Sequence, residues 1–486
     1  MLPLHHTRIV ATIGPASDDP ETLRRMILAG MNIARLNFSH GSFAEQEGRI
    51  ARIRAASHAA GRPVAILADL PGPKMRLGTI DPEPIQLVTG DRLALTSEAV
   101  TGNRERISTT FAQLPEVVKP GDRLYLNDGL VHLRVESVEG PEVRCEVTVG
   151  GELRSRKGLN LPGIHLGRSA FTVRDRECLE FAIRQGVDAV SQSFVENAED
   201  LRAVRETAAA AGSPIFLIAK IERAGALEAF DAILENADGI MVARGDLGVE
   251  VPIHEVGIIQ KRLIARANLA GKPVITATQM LESMVSSRLP TRAEVTDVTN
   301  AILDGTDCVM LSAESAMGKF PVESVAMLAS IACATEPRRA PVSLTGISKA
   351  CDSGGARPGV SRQDAMAELV ETALLKAPSP AVFVPTRGGS TPRRIARFKP
   401  KAWIVAVAGS PAVRQSLLFS YGVHPIPAEP EPSDWRAFAS EWTRAHGLSG
   451  SHAMLVAGPS PLNPNANHRI EFLPLRPGEA DDAQID

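Results

Sequence analysis

Cysteine is scarce in this chain of 486 residues. There are five, Cys145, Cys178, Cys308, Cys333 and Cys351, and none stands at a paired or metal-ligand spacing. That excludes a disulfide framework and a cysteine-held zinc site, and leaves a reduced protein as the expectation. An excess of positive charge is also missing, since 53 Lys and Arg face 56 Asp and Glu for a formal charge of −3. Nothing in that balance calls for nucleic acid. No apolar run is long enough to span a bilayer. The start, Met-Leu-Pro-Leu-His-His, lacks a basic region followed by a long apolar one, so a cytoplasmic protein without a membrane partner is expected. Lysines are few and tyrosines number only two, while alanine and arginine fill the helix faces. That bias says little about function.

What is present is apolar periodicity. With 44% hydrophobic residues the chain can build two or three packed domains. Eight short apolar runs, Thr7 to Thr12, Asn32 to Asn37, Val64 to Leu70, Asp188 to Ser191, Ile215 to Lys220, Gly239 to Ala243, Pro273 to Ala277 and Cys308 to Leu311, alternate with amphipathic stretches. Eight strand and helix units predict an α/β fold, a closed (β/α)8 TIM barrel whose site lies at the C-terminal strand ends. The barrel should comprise 1–70 and 167–340. Between its parts, 71–166 is rich in Gly, Pro, Val and turn dipeptides and reads as an inserted all-β lid, a small β-barrel able to cover the site. Residues 341–361 read as a connector, 362–477 as a C-terminal α/β domain, and 478–486 as a frayed tail.

The stretch Pro214 to Pro252 organises the barrel. Its two strands flank a helix expected over Ala224 to Glu235. The first strand runs into Lys220-Ile221-Glu222, where alternation puts Lys220 and Glu222 on one side. The second runs into Arg244-Gly245-Asp246-Leu247-Gly248, read as a tight glycine turn. Parallel neighbours bring Glu222 and Asp246 to one edge with Lys220 beside them. Two carboxylates with open oxygens suit Mg²⁺, which completes its shell with water and substrate. The competing reading is a buried ion pair that only closes the barrel.

Other strand ends carry polar residues of the same kind. They include Ile13 to Ser17, Arg35 and Asn37 with Ser39-His40-Gly41, Asp69 to Arg76, Thr278 to Met284, and Ser312 to Ser315. Together these stretches closely resemble the pyruvate kinase family. The similarity runs through Thr12 to Ser17, Leu36 to Gly41, Met241 to Gly248, Ala277 to Met284 and Pro290 to Glu294, with Lys157 to Gly163 in the lid, and is weaker toward the C-terminus.

The resemblance implies phosphoryl transfer from phosphoenolpyruvate to ADP, giving ATP and pyruvate. It implies Glu222 and Asp246 as ligands of Mg²⁺, or Mn²⁺ in its place, and Lys220 as the cation that meets the phosphoryl group. Arg35 would hold the phosphate, and Gly245, Asp246 and Thr278 the carboxylate end of the substrate. Arg76, Lys157 and Asn37 would meet the nucleotide. Thr278 or Ser312 would organise the water that protonates the enolate. A homotetramer is implied as well.

The sequence departs from the family pattern in places. The K⁺ pocket, aligned with Asn37, Ser39 and Asp69, continues with Leu70 and Lys74 where many members have Thr and Glu. A branch that needs no K⁺ carries this pair, so K⁺ independence is expected, with the Lys74 ammonium standing in the cation's place. Glu222 is followed by Arg223 where asparagine is usual. Thr386-Arg387-Gly388-Gly389-Ser390-Thr391 opens a helix and suits a sugar-phosphate effector, or else is only a tight turn. A lyase or aldolase acting on a pyruvate enolate and a non-catalytic sugar-phosphate sensor are the alternatives.

Overall fold

The computed structural model describes residues 2–165, 167–351, 361–427, 431–459 and 465–475. The expected tail, 478–486, lies outside them, as does 352–360 of the connector.

Eight parallel strands close into a barrel: β1 (Arg8–Thr12), β2 (Met31–Asn37), β3 (Ala65–Asp69), β4 (Ala189–Gln192), β5 (Phe216–Ile221), β6 (Gly239–Ala243), β7 (Val274–Ala277) and β8 (Cys308–Leu311). Each pairs with its sequence neighbour, and β8 returns to β1. Every residue of β1, β3, β4, β6, β7 and β8 is buried. Burial on both faces explains why the strands read as continuous apolar runs. Val10, Ile33, Leu67, Ile218, Met241 and Met310 help fill the lumen. The helices outside begin at sequence-readable caps, with Ser42, Thr172, Asn197 and Thr291 each closing a capping box.

Two local expectations are corrected here. The segment expected as one helix, Ala224 to Glu235, is two, Ala224–Glu228 and Phe230–Asn236, broken at Ala229. The run Arg244 to Gly248 is no glycine turn. It is the first part of a helix, Arg244–Glu250, because burying Leu247 and Glu250 on one face outweighs the helix cost of two glycines.

The segment between β3 and β4 forms a six-stranded sheet and a two-stranded sheet around a core of its own that includes Leu93, Leu124, Leu133 and Val147. Its edge strands, Arg106–Ser108 and Leu159–Asn160, are both reached by the segment 76–78, which bridges Gly158 through Arg76 and Thr109 through Leu77.

Beyond the barrel, the connector carries a helix, Leu344–Ala350, capped by Ser343. A five-stranded sheet follows, in the order Val423–Ile426, Trp403–Val407, Ala381–Pro385, His452–Ala457 and Arg469–Pro474, with the last strand antiparallel. The two outer strands escaped the sequence reading, being edge strands with weak apolar pattern, one holding Pro425. Leu418 and Phe419 from this domain plug the N-terminal mouth of the barrel, where Phe419 stacks on Phe216 with centroids 5.4 Å apart.

Candidate active site

β5 delivers Lys220 to the C-terminal rim and Glu222 follows one residue past the strand. The Lys220 Nζ donates to Ser193 Oγ at 2.6 Å and lies 3.6 Å from Asp69 Oδ1 and 3.4 Å from Glu222 Oε2. Burial alone would lower its pKa, but Asp69 and Glu222 outweigh burial and hold the ammonium above its ordinary value. Asp69, at the end of β3, accepts from Ser191 Oγ at 2.6 Å and from Arg35 Nε at 3.0 Å, with Arg35 Nη2 on the same oxygen. Burial opposes its ionisation, yet Lys220 and Arg35 keep its carboxyl below the usual range. Arg35 also donates from Nη1 to Thr12 Oγ1 at 2.8 Å.

Glu222 is the less satisfied partner. Its Oε1 accepts from the Phe194 amide at 2.6 Å, but Oε2 is sealed from solvent and accepts no hydrogen bond among the described residues. Burial pushes its carboxyl up, against Lys220, and the nearby Asp246 charge adds to the rise. Lys220 and Glu222 shift in the same direction because Lys220 is shared with Asp69, which leaves Glu222 under-compensated. Asp246 makes no hydrogen bond to a described residue. A buried Glu222 oxygen that accepts no hydrogen bond and faces only the shared Lys220 ammonium, with the Asp246 carboxylate beside it, fits a hard divalent cation such as Mg²⁺, which takes one or two carboxylates and fills its shell with other oxygens. Among the described residues no group of three or more His, Cys, Asp or Glu gathers for a metal held by protein alone.

Across the rim, Thr278 follows β7 with φ +70°, and Gln279 follows at +52°. A β-branched residue in that region is strained by about 1–3 kcal/mol. Arg244 holds the turn in place. Its Nη2 donates to Thr278 O at 2.7 Å, its Nε to Ala277 O at 3.3 Å, and its Nη1 to Asp297 Oδ1 at 2.8 Å. The strained turn brings Thr278 Oγ1 to the Gly245 amide, which donates to it at 2.7 Å, while the hydroxyl donates to Ala277 O at 2.6 Å. The Gly245 amide, expected to face the substrate, is therefore engaged by Thr278. Ser312 joins the rim with its amide on Glu314 Oε2 at 2.7 Å.

The structure does not bring Lys74 to Asp69. Gly72, at φ +65° and pinned by its amide to Asp175 Oδ1 at 2.8 Å, turns the chain into the lid; Met75 is buried and Lys74 exposed. Lys74 instead lies close enough to act on His40, whose pKa is lowered by burial first and then by Arg76, Lys74 and Arg35. Leu70 is fully buried, and Asn37 Oδ1 accepts from the exposed Ser39 amide at 3.0 Å. Arg76 is bridged to Gly158 in the lid and donates to Arg156 O at 3.1 Å, which sets it next to Lys157. In the C-terminal domain Thr386 Oγ1 accepts from the Gly389 amide at 3.0 Å, ahead of the helix Ser390–Ala396.

Sequence reasoning missed Ser193, Phe194 and Arg244. Arg244 stood inside the Arg-Gly-Asp run and was passed over in favour of its neighbours. Ser193 and Phe194 carried no signal, since the end of β4 shows no charged residue and the φ of +58° at Phe194 that aims its amide at Glu222 is invisible in sequence.

Two family models match the chain, "Pyruvate kinase, barrel domain" over residues 4–325 and "Pyruvate kinase, alpha/beta domain" over residues 364–460. The chain belongs to the pyruvate kinase family. A pyruvate kinase of Thermococcus litoralis is 50% identical over 425 residues, covering 87% of this chain and 89% of that one. Pyruvate kinase 2 of Synechocystis is 46% identical over 441 residues, 89% of this chain and 72% of that one. A crystal structure of a pyruvate kinase from Cryptosporidium parvum superposes with a TM-score of 0.88 at 34% identity, covering 97% of each chain. The protein is thus a glycolytic kinase, and neither a lyase nor a sensor finds support. Family members use Mg²⁺, phosphoenolpyruvate and ADP. Among the described residues no helix is long and apolar enough to cross a membrane.

Proposed function

We infer that this pyruvate kinase moves the phosphoryl group of phosphoenolpyruvate to ADP over the rim made by β3, β5, β6 and β7, with Lys220 as the cation that meets the group in transit. The observation that carries this reading is the imbalance around Lys220: one ammonium is divided between Asp69 and Glu222, and neither Glu222 Oε2 nor Asp246 accepts a hydrogen bond from a described residue. Phosphoryl transfer asks the protein for positioning and charge neutralisation more than covalent help. Glu222 and Asp246 would hold Mg²⁺, or Mn²⁺ with the same oxygen preference, and the bound ion supplies positive charge to the phosphoryl oxygens.

Arg35 uses one N–H on each terminal nitrogen for Thr12 and Asp69 and keeps the others for a phosphate oxygen. Thr278, fixed by Arg244, positions the substrate carboxylate together with the first turn of the Arg244–Glu250 helix. Arg76 and Lys157 face the nucleotide from the lid, with Asn37 at the end of β2 beside the strand that enters the lid. Thr278 or Ser312 orients the water that protonates the enolate. A coupled assay for pyruvate, with ADP, divalent ion and phosphoenolpyruvate omitted singly, tests the reading: pyruvate should form only with all three, and formation without ADP would contradict it.

K⁺ independence follows from Leu70 and Lys74 in a modified form. Leu70 removes a ligand oxygen, and Lys74 adds fixed charge beside His40 rather than a contact to Asp69. Activity should be the same with and without K⁺ in a Na⁺-free assay, and Lys74→Glu should create a K⁺ requirement. A large activation of the parent by K⁺ would overturn this. The chain is proposed to assemble as a cytoplasmic homotetramer, which light scattering tests by mass. The 386–391 loop is proposed as the effector site; titration calorimetry with fructose bisphosphate should give heat, and silence with all sugar phosphates would leave the loop as a turn closed by Thr386.

A further inference from the structure

Arg223, directly after Glu222, is 3% exposed and has no part in the chemistry described so far. Its guanidinium sits where four segments meet. Nη2 donates to the carbonyl of Ile164, on the return from the lid, at 2.8 Å, and lies 2.8 Å from Glu196 Oε1 in the loop after β4. Nε faces Glu250 Oε2 at 3.6 Å, at the end of the helix that carries Asp246. Its own backbone continues β5. On the other side of Glu196, His165 Nδ1 lies 2.7 Å from Oε2 without the geometry of a hydrogen bond, which leaves Arg223 as the bonded link to the lid return. The crevice next to Arg223 has Phe194, Asp246 and Glu250 on the barrel side and Asp128, Gly158 and Asn160 on the lid side, and encloses only about 10 Å³. That is room for a single water at most.

A guanidinium beside two carboxylates could be explained as charge balance alone. The bond to Ile164 O is not needed for that, and it is the one that crosses to the lid. We propose that Arg223 is a positioning residue that fastens the lid's return segment to the strand ends bearing Glu222 and Asp246, so that seating the lid and setting the two carboxylates are coupled. Only a planar fork can reach Ile164, Glu196 and Glu250 at once; an ammonium keeps the charge and loses the span. The proposal rests on the reading of the inserted segment as the cover on the nucleotide side.

The test is hydrogen exchange on the full-length protein without substrates, comparing the parent with Arg223→Lys, together with KM and kcat for each substrate. Exchange at 159–165 should quicken about tenfold while β5 and the helix Arg292–Asp304 stay within about twofold. The KM for ADP should rise about fivefold, with the KM for phosphoenolpyruvate changing by less than about twofold. Unchanged exchange at 159–165 overturns the proposal, even if turnover falls, because Arg223 would then act on Glu222 alone. Faster exchange throughout the barrel overturns it too, as the sign of a general structural role. Should Arg223→Lys fail to fold, Glu196→Gln, which weakens the hold on the guanidinium, must quicken exchange selectively at 159–165; no selective change would sink the idea. Because exchange is read without catalysis, failure of the latch and failure of the nucleotide reading give different results.

Discussion

Lys220 at one mouth of the barrel and Lys399 at the other are both buried beside an aspartate, and their pKa values move in opposite directions. Lys220 is held up by Asp69 and Glu222. Lys399 is pushed down to about 8, because burial outweighs Asp307. At the N-terminal mouth both members of the pair are hydrogen-bonded. Lys399 Nζ lies 2.7 Å from Asp307 Oδ1 and donates to Asn268 Oδ1 at 3.2 Å, while Asp307 also accepts from the Tyr421 and Val274 amides. Arg8 donates to the carbonyls of Ser420 and Val423 nearby. At the C-terminal mouth neither Glu222 Oε2, which has only the shared Lys220 ammonium at 3.4 Å, nor Asp246 accepts a hydrogen bond from a described residue. One end spends its charges on joining the C-terminal domain to the barrel; the other leaves them for a ligand, as expected for a barrel whose chemistry sits at its strand C-termini.

The sharpest way to break this contrast is to damage the closed end. Lys399→Met strands Asp307 in the interior and should cost about 3–5 kcal/mol of stability in denaturant titration, with kcat within about twofold of the parent. Turnover falling in step with stability would mean that the two mouths are not independent. At the open end Arg244→Lys should release the strained 277–279 turn and raise the KM for phosphoenolpyruvate about tenfold, with little change in the denaturation midpoint. An unchanged KM would separate Thr278 from substrate binding.

The smallest effect concerns pH. His424, packed between Trp403 and Trp442 at the closed end, has its pKa lowered to about 3, chiefly by burial and next by Arg8. Its folded pKa lies below the unfolded value, so the unfolded chain binds more protons between about pH 6.5 and 3. Its contribution is present above pH 6.5 and is lost as pH falls through that window. His424→Phe should therefore narrow the gap in Tm between pH 7 and pH 5 by a few degrees, roughly what a modest change in stability produces. An unchanged gap would show that His424 does not titrate with unfolding.

Much of the open end was legible in sequence because strand ends advertise charge. Lys220, Glu222 and Asp246 stand at the termini of apolar runs, and their convergence follows from parallel neighbours in a barrel. What stayed hidden depends on backbone conformation or on distant segments. The amide of Phe194 reaches Glu222 only through a left-handed residue, and the Thr278 turn captures the Gly245 amide that sequence assigned to substrate. Lys74 was placed beside Asp69 by analogy, whereas Gly72 turns the chain away before it gets there. The closed end was almost unreadable, since Asp307, Lys399 and Tyr421 are brought together from separate domains and no local pattern links them. The lid's strands were recognisable by alternation, but the bridges from Arg76 to Gly158 and from Leu77 to Thr109 that join its two edges follow no local pattern.

The claim most exposed to a single measurement is that the open end is built around the Lys220 charge. In Lys220→Met, folded as judged by circular dichroism, ATP formation from phosphoenolpyruvate and ADP should fall by at least about 10³-fold, the scale of losing a preorganised charge at the reacting group. ATP formation at the parental rate would contradict the account.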